Sequence, residues 1–569
     1  MRIFFLSALT LFGHTLLAQL EQDDDFLSIM ETELKRELSE FSKAKQPPYF
    51  LSYRVSDTYS ANVGSSFGSL VTSSTDRSRV LVADVKVGDY NFDSSHSMDN
   101  FDGFNVPFQM PRGRGFGMPV ELPWDNRPEA IQFMLWQVTQ GSYRQSLEMF
   151  KTLKNLQHTT TTSTIPINDF SREVAATHVD PPLPEFTRFY NEKEWTARIK
   201  KISTPFLNNP DLVDGDASLD AGTERKYFVS SEGTRIAQNR TYAHLTIRAS
   251  IRADDGDVVG LHKSYFAFDP ANLPTDEEIL QDVSKMIEKL NLLRKAPLAE
   301  PYTGPAILYS HAAGVFFHEI FGHRVEGHRL KDNNDGQTFK GKIKEEVLPK
   351  SLSVIFDPTQ AYFNGQALNG YYLYDDEGIK GQKVEVVKNG ILKTFLMSRT
   401  PIENLSNSNG HGRAQAGAET VSRQSNLIIK NDKVVPMNEL RKMLITECKK
   451  QKKKYGYLFM DVVGGFTTTE RYMPNAFNIF PTEVFRIYVD GRPDELVRGV
   501  DLIGTPLAMF AEIAAADDKS EVFTGFCGAE SGYIPVTAVS PSLFVKRIET
   551  QKKATSQVEK PILQKPAGN

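Results

Sequence analysis

Only two cysteines, Cys448 and Cys527, occur in this chain of 569 residues. Their number excludes a disulfide-dense scaffold, and it excludes a zinc or iron–sulfur site built from four cysteines of one chain. The fold must therefore be held by apolar cores, and hydrophobic residues make up 40% of the chain, which is ample for them. A formal net charge of −5 gives no positive field, so we expect no nucleic-acid partner.

The N-terminus has the pattern of a secretory signal peptide. Arg2 carries a positive charge, a mostly apolar run covers residues 3–17, and the small residue Ala18 precedes a polar stretch. The run is short for a membrane span, and no later segment has 18 consecutive apolar residues. We expect residues 1–18 to be removed and the mature protein to be exported, to the bacterial periplasm or beyond, without a stable membrane anchor. Retention of the run as an N-terminal anchor is the alternative.

Apolar periodicity and turn residues predict an α+β fold. An N-terminal mixed α/β domain is followed by a β-rich C-terminal domain that carries a metal-binding helix. Thr275 and Glu278 form a capping box at the start of a helix, and Ala296-Pro297 ends that helix at the predicted domain boundary. The expected organisation is a signal peptide at 1–18, an N-terminal region at 19–297, a C-terminal domain at 298–548 and a disordered tail at 549–569.

Individual elements follow from the same patterns. Helices are predicted at 26–43, 128–156 and 438–455, and strands in the segments 49–55, 80–87, 225–268, 350–400 and 480–500. Asn389-Gly390 and Asp490-Gly491 stand between apolar runs and predict two-residue hairpins. Residues 97–125 are rich in Gly, Pro, Phe, Asn and Asp and predict a long loop.

The segment from Gly314 to His328 carries the chemistry. His318, Glu319 and His323 follow an apolar run, which indicates a helix with metal ligands and a carboxylate able to deprotonate water. Residues five apart lie roughly 140° apart on a regular helix, so the two imidazoles could not reach one ion. The spacing predicts either a π-bulge or a helix that ends near Gly322. Surface histidines on an ordinary helix are the alternative.

A catalytic zinc site has three protein ligands and an open position. Glu326, His328 and Cys527 are candidates for the third ligand. Cys527 lies in a glycine-flanked stretch, and glycine allows close backbone approach. The alternative for Cys527 is a disulfide with Cys448, because the protein is expected to be exported. Cys448 lies near lysines that would favour its thiolate.

At this point the sequence resembles the TldD/PmbA metallopeptidase family. The segment from Gly314 to Gly327 matches the family's His-Glu-x-x-x-His motif followed by Glu-Gly. Further blocks match in the same order: Asp375-Asp376-Glu377-Gly378, Lys388-Asn389-Gly390-Ile391-Leu392, Asn409-Gly410-His411-Gly412-Arg413, Gly499 to Pro506, and Cys527-Gly528 before Ile534-Pro535-Val536. The resemblance covers residues 225–545 strongly and the N-terminal half loosely.

The resemblance implies a zinc peptidase with His318, His323 and Cys527 as ligands and Glu319 as general base. Glu326 is then a carboxylate that supports a ligand. Implied substrates are unfolded peptides or small peptide precursors. The implied assembly is a homodimer or a heterodimer with a related subunit that lacks the histidine motif, with the N-terminal region contributing to a chamber and to dimerisation.

Some features depart from the family pattern or leave the function open. His328 stands where the family commonly has an acidic residue, and an export signal is unusual in the family. We interpret Asp375, Asp376 and Glu377 as turn residues, with peptide binding as the alternative. Two further interpretations remain: a non-catalytic peptide-binding or scaffold subunit with a structural metal, and a protein with a Cys448–Cys527 disulfide and incidental histidines.

Overall fold

Two β-sheets with their own helices lie on either side of Pro297 in the chain. The computed structural model describes residues 24–96, 119–157, 167–332, 334–470 and 476–553. The predicted α+β class is confirmed. The predicted signal peptide and most of the predicted loop at 97–125 lie outside the described residues. Within the described part, no helix combines the length and apolar composition that a membrane crossing requires.

The N-terminal sheet consists of two long hairpins with short strands at its edges. Its strands are β1 (Pro48–Ser66), β2 (Ser69–Val87), β3 (Val120–Glu121), β4 (Thr177–Val179), β5 (Leu212–Ser230), β6 (Arg235–Arg252) and β7 (Val258–Ala267), in the order β3-β2-β1-β5-β6-β4 with β7 also paired to β6. Its helices are α1 (Asp25–Phe41), α2 (Pro128–Gln157), α3 (Phe186–Phe189), α4 (Glu192–Ser203) and α5 (Asp276–Lys295). One apolar core forms under α1 and α2, and another under α4 and α5.

Local sequence signals predicted helices α1, α2 and α5. The Thr275 hydroxyl accepts from the Glu278 amide (3.3 Å), and the Glu278 carboxylate accepts from the Thr275 amide (2.8 Å), as the capping box predicts. Such a cap satisfies amides that have no partner inside the helix. The helix predicted at 128–156 is α2, and the one predicted at 26–43 is α1.

The C-terminal sheet includes a closed ring of strands. Its strands and those beside it are β8 (Tyr302–Leu308), β9 (Leu352–Phe356), β10 (Tyr362–Phe363), β11 (Gln366–Ala367), β12 (Val384–Lys388), β13 (Ile391–Leu392), β14 (Gly412–Arg413), β15 (Val421–Ser422), β16 (Asn426–Asn431), β17 (Tyr455–Thr467), β18 (Phe477–Tyr488), β19 (Glu495–Val497), β20 (Val500–Gly504), β21 (Ile513–Ala529) and β22 (Gly532–Lys552). The order is β13-β12-β9-β16-β22-β20-β18-β17-β8, and β8 also pairs with β22. Strands β22, β20, β18, β17 and β8 therefore close on themselves.

Three helices accompany this sheet: α6 (Ser310–Ile320), α7 (Met437–Lys450) and α8 (Pro506–Ala511). Helix α6 is apolar on nearly every side and packs against β17, β21 and β22. Its phenylalanines join the largest apolar core of the protein. Helix α7 covers a smaller core. It corresponds to the helix predicted at 438–455, but it ends at Lys450, and Tyr455 already begins β17. The buried position of α6 fixes where its last residues point.

One of the two hairpin predictions is confirmed and the other is wrong. Lys388 pairs with Ile391, so Asn389 and Gly390 form a two-residue turn, both with positive φ. After β18, by contrast, residues 489–494 form a longer connection before β19. Pro493 has no amide hydrogen to donate to a neighbouring strand. Antiparallel pairing with β18 therefore begins only at Glu495.

The predicted start of the disordered tail is also wrong. Strand β22 continues to Lys552, and residues 549–552 pair with β20. The segment is polar, but sheet pairing uses backbone groups, so composition alone misplaces the boundary. Residues 554–569 lie outside the described part of the chain.

The acidic segment at 375–377 forms a turn, as predicted. Asp375 accepts from the amides of Glu377 (3.0 Å), Ile379 (2.9 Å) and Gly412 (2.9 Å). Asp376 accepts from Lys226 of β5 (2.8 Å), which joins the turn to the N-terminal sheet. These carboxylates are buried and engaged in structural contacts.

Candidate metal centre

The way α6 ends explains how two histidines five residues apart can face the same point. The α-helix stops at Ile320, and Gly322–Val325 form a 3₁₀ turn. This ending is the second of the two distortions predicted from the spacing. The Arg324 guanidinium donates to the Glu319 carbonyl (2.7 Å) and so binds a backbone group that the terminating helix leaves without a helical partner. The change of direction brings His323 to the same side as His318.

Cys527 reaches this point from β21, far along the chain. Its Sγ lies 3.2 Å from His318 Nε2 and 3.3 Å from His323 Nε2. One candidate ligand atom from each of the three residues lies within 4.8 Å of the others. The side chains of His323 and Cys527 are buried, and His318 is partly exposed. One side of the cluster therefore remains open to a ligand from outside.

Glu319 lies beside the cluster and is 7% exposed. A Cβ on Gly465 of β17 would lie 2.9 Å from the Glu319 Cγ, so the missing side chain at 465 makes room for this carboxylate. Burial raises the pKa of Glu319 above its usual range, against the lowering effect of His318 and His323. A carboxylate with a raised pKa is suited to accept and return a proton near neutral pH.

The electrostatics of the cluster favour the thiolate form of Cys527, which is the form that binds a metal. Burial opposes ionisation of Cys527, but His323 and His318 lower the pKa of its thiol well below the usual range. Burial likewise lowers the pKa of His323, but Cys527 and Glu326 raise it to about 10. Two imidazoles around a thiolate form a nitrogen–sulfur donor set that suits zinc. The residues present thus fit a zinc ion.

Glu326 contacts the far side of His323 and reaches none of the other candidate ligands. Its Oε2 lies 3.1 Å from His323 Nδ1 and accepts from Arg329 Nε (2.9 Å). Burial opposes ionisation, but His323 and Arg329 lower the pKa of Glu326 to about 2. An ionised carboxylate on Nδ1 keeps the hydrogen there and leaves Nε2 free to bind a metal.

Comparison with known families finds a matching domain over the part of the chain that contains this centre. Residues 301–552 match the model described as the PmbA/TldA metallopeptidase C-terminal domain. Residues 301–552 therefore form a C-terminal domain of the TldD/PmbA family. This matched range contains α6, β17 and β21, and so every residue of the candidate centre.

Curated relatives of this protein carry metalloprotease names. A "Metalloprotease" from Archaeoglobus fulgidus is 29% identical over 42% of this chain, and the match spans 51% of that protein, about half its length. A "Zinc metalloprotease TldD homolog" from Saccharolobus solfataricus is 24% identical over 57% of this chain and 68% of its own length. The crystal structure of TldE from Thermococcus kodakarensis has a TM-score of 0.60 at 14% identity, over 92% of this chain and 100% of that one. At this identity the structural likeness concerns the fold.

His328 and Cys448 lie apart from the centre of this TldD/PmbA domain. His328 contacts Glu530, which also accepts from Arg329 (3.0 Å). Both cysteines are free, so the alternative of a Cys448–Cys527 disulfide is wrong. The expectation of a lysine-stabilised thiolate at Cys448 is wrong as well, because burial raises the pKa of its thiol to about 11.

Two buried side chains of the centre, Arg423 and Gln424, were not predicted from the sequence. Arg423 donates to the Cys527 carbonyl (2.8 Å), and Gln424 Nε2 donates to the His318 carbonyl (3.3 Å). Each is about a hundred residues from its partner in the chain. No local spacing pattern connects them to the histidine motif.

The elements that build the centre continue into a more exposed polar cluster. His311, two helical turns before His318, lies 3.3 Å from Asp461 of β17 and 3.7 Å from Glu521 of β21. The side chains of these three residues are 34–42% exposed. Helix α6, β17 and β21 therefore carry both this exposed cluster and residues of the candidate centre.

Close packing at Gly322 yields a first prediction. A Cβ there would lie 1.9 Å from Gln424 Oε1, and overpacking of this kind costs roughly 1–3 kcal/mol. We expect Gly322→Ala to lower the free energy of unfolding by about that amount, measured by denaturant titration. The control is Gly141→Ala in α2, where a Cβ meets no atom within 4 Å. That change should stabilise the protein by about 0.5–1 kcal/mol, and equal effects of the two would contradict the packing argument.

Proposed function

We propose that this protein is an exported zinc-dependent peptidase that hydrolyses peptide bonds of unfolded peptides or small peptide precursors. The observation that carries the proposal is the convergence of His318, His323 and Cys527, with Glu319 buried beside them. The printed name of the Saccharolobus relative supports zinc as the metal. His318, His323 and Cys527 would hold the ion and leave its fourth position for water or substrate.

In this mechanism Glu319 moves the proton. Zinc supplies Lewis acidity, which polarises the peptide carbonyl and lowers the pKa of water. Glu319 accepts the proton of the attacking water and delivers it to the nitrogen of the leaving amine. Glu326 holds His323 by its Nδ1, so that the imidazole keeps one orientation through the cycle.

The arrangement of polar groups along α6 favours extended chains as substrates. His311 and His318 are seven residues apart on α6, which corresponds to about 10 Å along the helix axis. An extended peptide covers that distance in about three residues. A folded protein surface would not enter a site whose key groups are this deeply buried, which supports unfolded peptides as the substrate class.

Export and assembly belong to the same proposal. The charged start, apolar run and small residue of residues 1–18 support removal of a signal peptide and action outside the cytoplasm. The match of residues 301–552 to a TldD/PmbA domain supports pairing with a second copy or with a related subunit lacking the histidine motif. Mass determination of the mature N-terminus and light scattering of the purified protein test these two points separately.

Metal removal tests the proposed activity. We expect the purified protein to contain zinc and to cleave a quenched fluorescent library of unstructured peptides. Treatment with 1,10-phenanthroline should abolish cleavage, and added Zn²⁺ should restore it, because the carbonyl is polarised only when the ion is bound. Circular dichroism before and after chelation controls for unfolding. Cleavage that survives complete loss of metal would contradict a zinc peptidase.

A further inference from the structure

We propose that Arg423 is a positioning residue that fixes His323 and Cys527 relative to each other and thereby sets the metal affinity of the centre. This inference rests on the proposed zinc site. It concerns a residue outside the candidate ligands and the general base.

Arg423 holds the strand that delivers the cysteine. It follows the short strand β15, and its side chain is fully buried. Its Nη2 donates to the carbonyl oxygen of Cys527 (2.8 Å), and its Nη1 donates to the Ser531 hydroxyl (2.7 Å). One guanidinium thus binds both the end of β21 and the turn that leads into β22. The planar fork of arginine can serve several fixed acceptors in this way, which lysine cannot.

The same guanidinium faces the carboxylate that orients His323. Arg423 Nε lies 3.4 Å from Glu326 Oε1, and both side chains are completely buried. Neither of these two atoms has a hydrogen-bond partner among the described residues. The electrostatic attraction between them therefore offsets the cost of burying both. Glu326 Oε2 in turn contacts His323 Nδ1. A continuous chain of contacts therefore runs from His323 through Glu326 and Arg423 to the backbone of Cys527.

A second buried arginine joins the same two segments. Arg329 Nε donates to Glu326 Oε2 (2.9 Å), and its Nη2 donates to Glu530 Oε2 (3.0 Å). Arg329 also pairs with Asp335 (3.0 Å), so two arginines face three carboxylates within this network. Removal of one arginine leaves a buried carboxylate undercompensated, which is strongly unfavourable. Arg423 differs from Arg329 because it alone binds the backbone of the cysteine.

This arrangement predicts an effect on metal binding beyond any effect on stability. The histidine turn and the cysteine strand are about 200 residues apart, and a ligand displaced by a fraction of an ångström binds zinc poorly. Partners that orient metal ligands typically contribute about 10- to 100-fold in metal affinity. We expect Arg423→Gln to weaken zinc binding by about that factor, and Arg423→Lys to weaken it less, since a positive charge near Glu326 is kept.

Arg413 offers a matched control. It is buried in the neighbouring strand β14 and donates to the carbonyl oxygens of Gln424 (2.7 Å) and Pro535 (2.8 Å). Among the described residues, it forms no hydrogen bond or ion pair with Glu326 or Cys527. Arg413→Gln should therefore destabilise the fold while changing zinc affinity by less than about threefold.

The experiment compares the full-length wild type, Arg423→Gln, Arg423→Lys and Arg413→Gln. Zinc dissociation constants are measured by competition with a chromophoric chelator, and thermal unfolding of the metal-free proteins gives the effect on stability. Absorption of the Co²⁺-loaded proteins reports whether thiolate remains a ligand. The expected result is weakened zinc binding and altered thiolate–cobalt absorption in the Arg423 variants alone. If Arg423→Gln does not fold, Arg423→Lys carries the comparison.

Two outcomes would overturn the inference, and they differ from failure of the proposed function. Unchanged zinc affinity in the Arg423 variants would show that the contact chain does not set the site. Equal weakening of zinc binding in Arg413→Gln would show that the effect comes from general destabilisation of the fold. A wild-type protein that binds no zinc would instead contradict the proposed function itself.

Discussion

Replacing Glu319 by glutamine is expected to reduce peptide cleavage by about 10²- to 10⁴-fold, the usual contribution of a general base. Glutamine has nearly the same shape and fits the space left by Gly465, but its amide cannot accept and return the proton. The ligand atoms of His318, His323 and Cys527 are untouched. Zinc content should therefore stay at the wild-type level.

Peptide turnover and zinc content measured on the same preparations test this expectation. Glu439→Gln on the exposed side of α7, where the carboxylate pairs only with Lys442 among the contacts described, is the control and should leave both quantities unchanged. Equal activity of Glu319→Gln and wild type would contradict the role of Glu319. Bound zinc without cleavage in either protein would favour a non-catalytic peptide-binding or scaffold subunit with a structural metal.

Much of the secondary structure was predictable because its signals are local. A capping box at Thr275 and an Asn-Gly pair at 389–390 each satisfy backbone needs within a few residues. The Asp490-Gly491 pair misled because Pro493 blocks the ladder that a tight hairpin requires. The closed ring of strands was not predictable, since β8 pairs with β22 across more than 200 residues.

The candidate centre was likewise predictable from the sequence only in part. The distorted end of α6 followed from the arithmetic of two histidines five residues apart. Cys527 was one of three third-ligand candidates from the residues alone, and the family resemblance favoured it. Arg423 and Gln424 were missed, because buried hydrogen bonds between distant segments leave no periodic trace in a sequence.

Replacement by serine is expected to abolish zinc binding at Cys527 but to lower only the stability of the fold at Cys448. Cys527→Ser removes a thiolate that two imidazoles contact, and a serine hydroxyl does not ionise near neutral pH. We expect a loss of zinc affinity larger than the roughly 10- to 100-fold that orienting partners contribute, and with it the loss of peptide cleavage. Cys448 is buried in the separate core under α7, so Cys448→Ser should keep zinc and cost about 1–3 kcal/mol in stability.

Metal analysis and thermal unfolding of both variants separate these effects. Zinc lost only from Cys527→Ser, with the Cys448→Ser protein less stable but fully loaded, is the expected pattern. The control is demanding, because both side chains are buried and a general sensitivity of the fold to serine would affect the two alike. Stoichiometric zinc in Cys527→Ser would contradict the assignment of Cys527 as the third ligand.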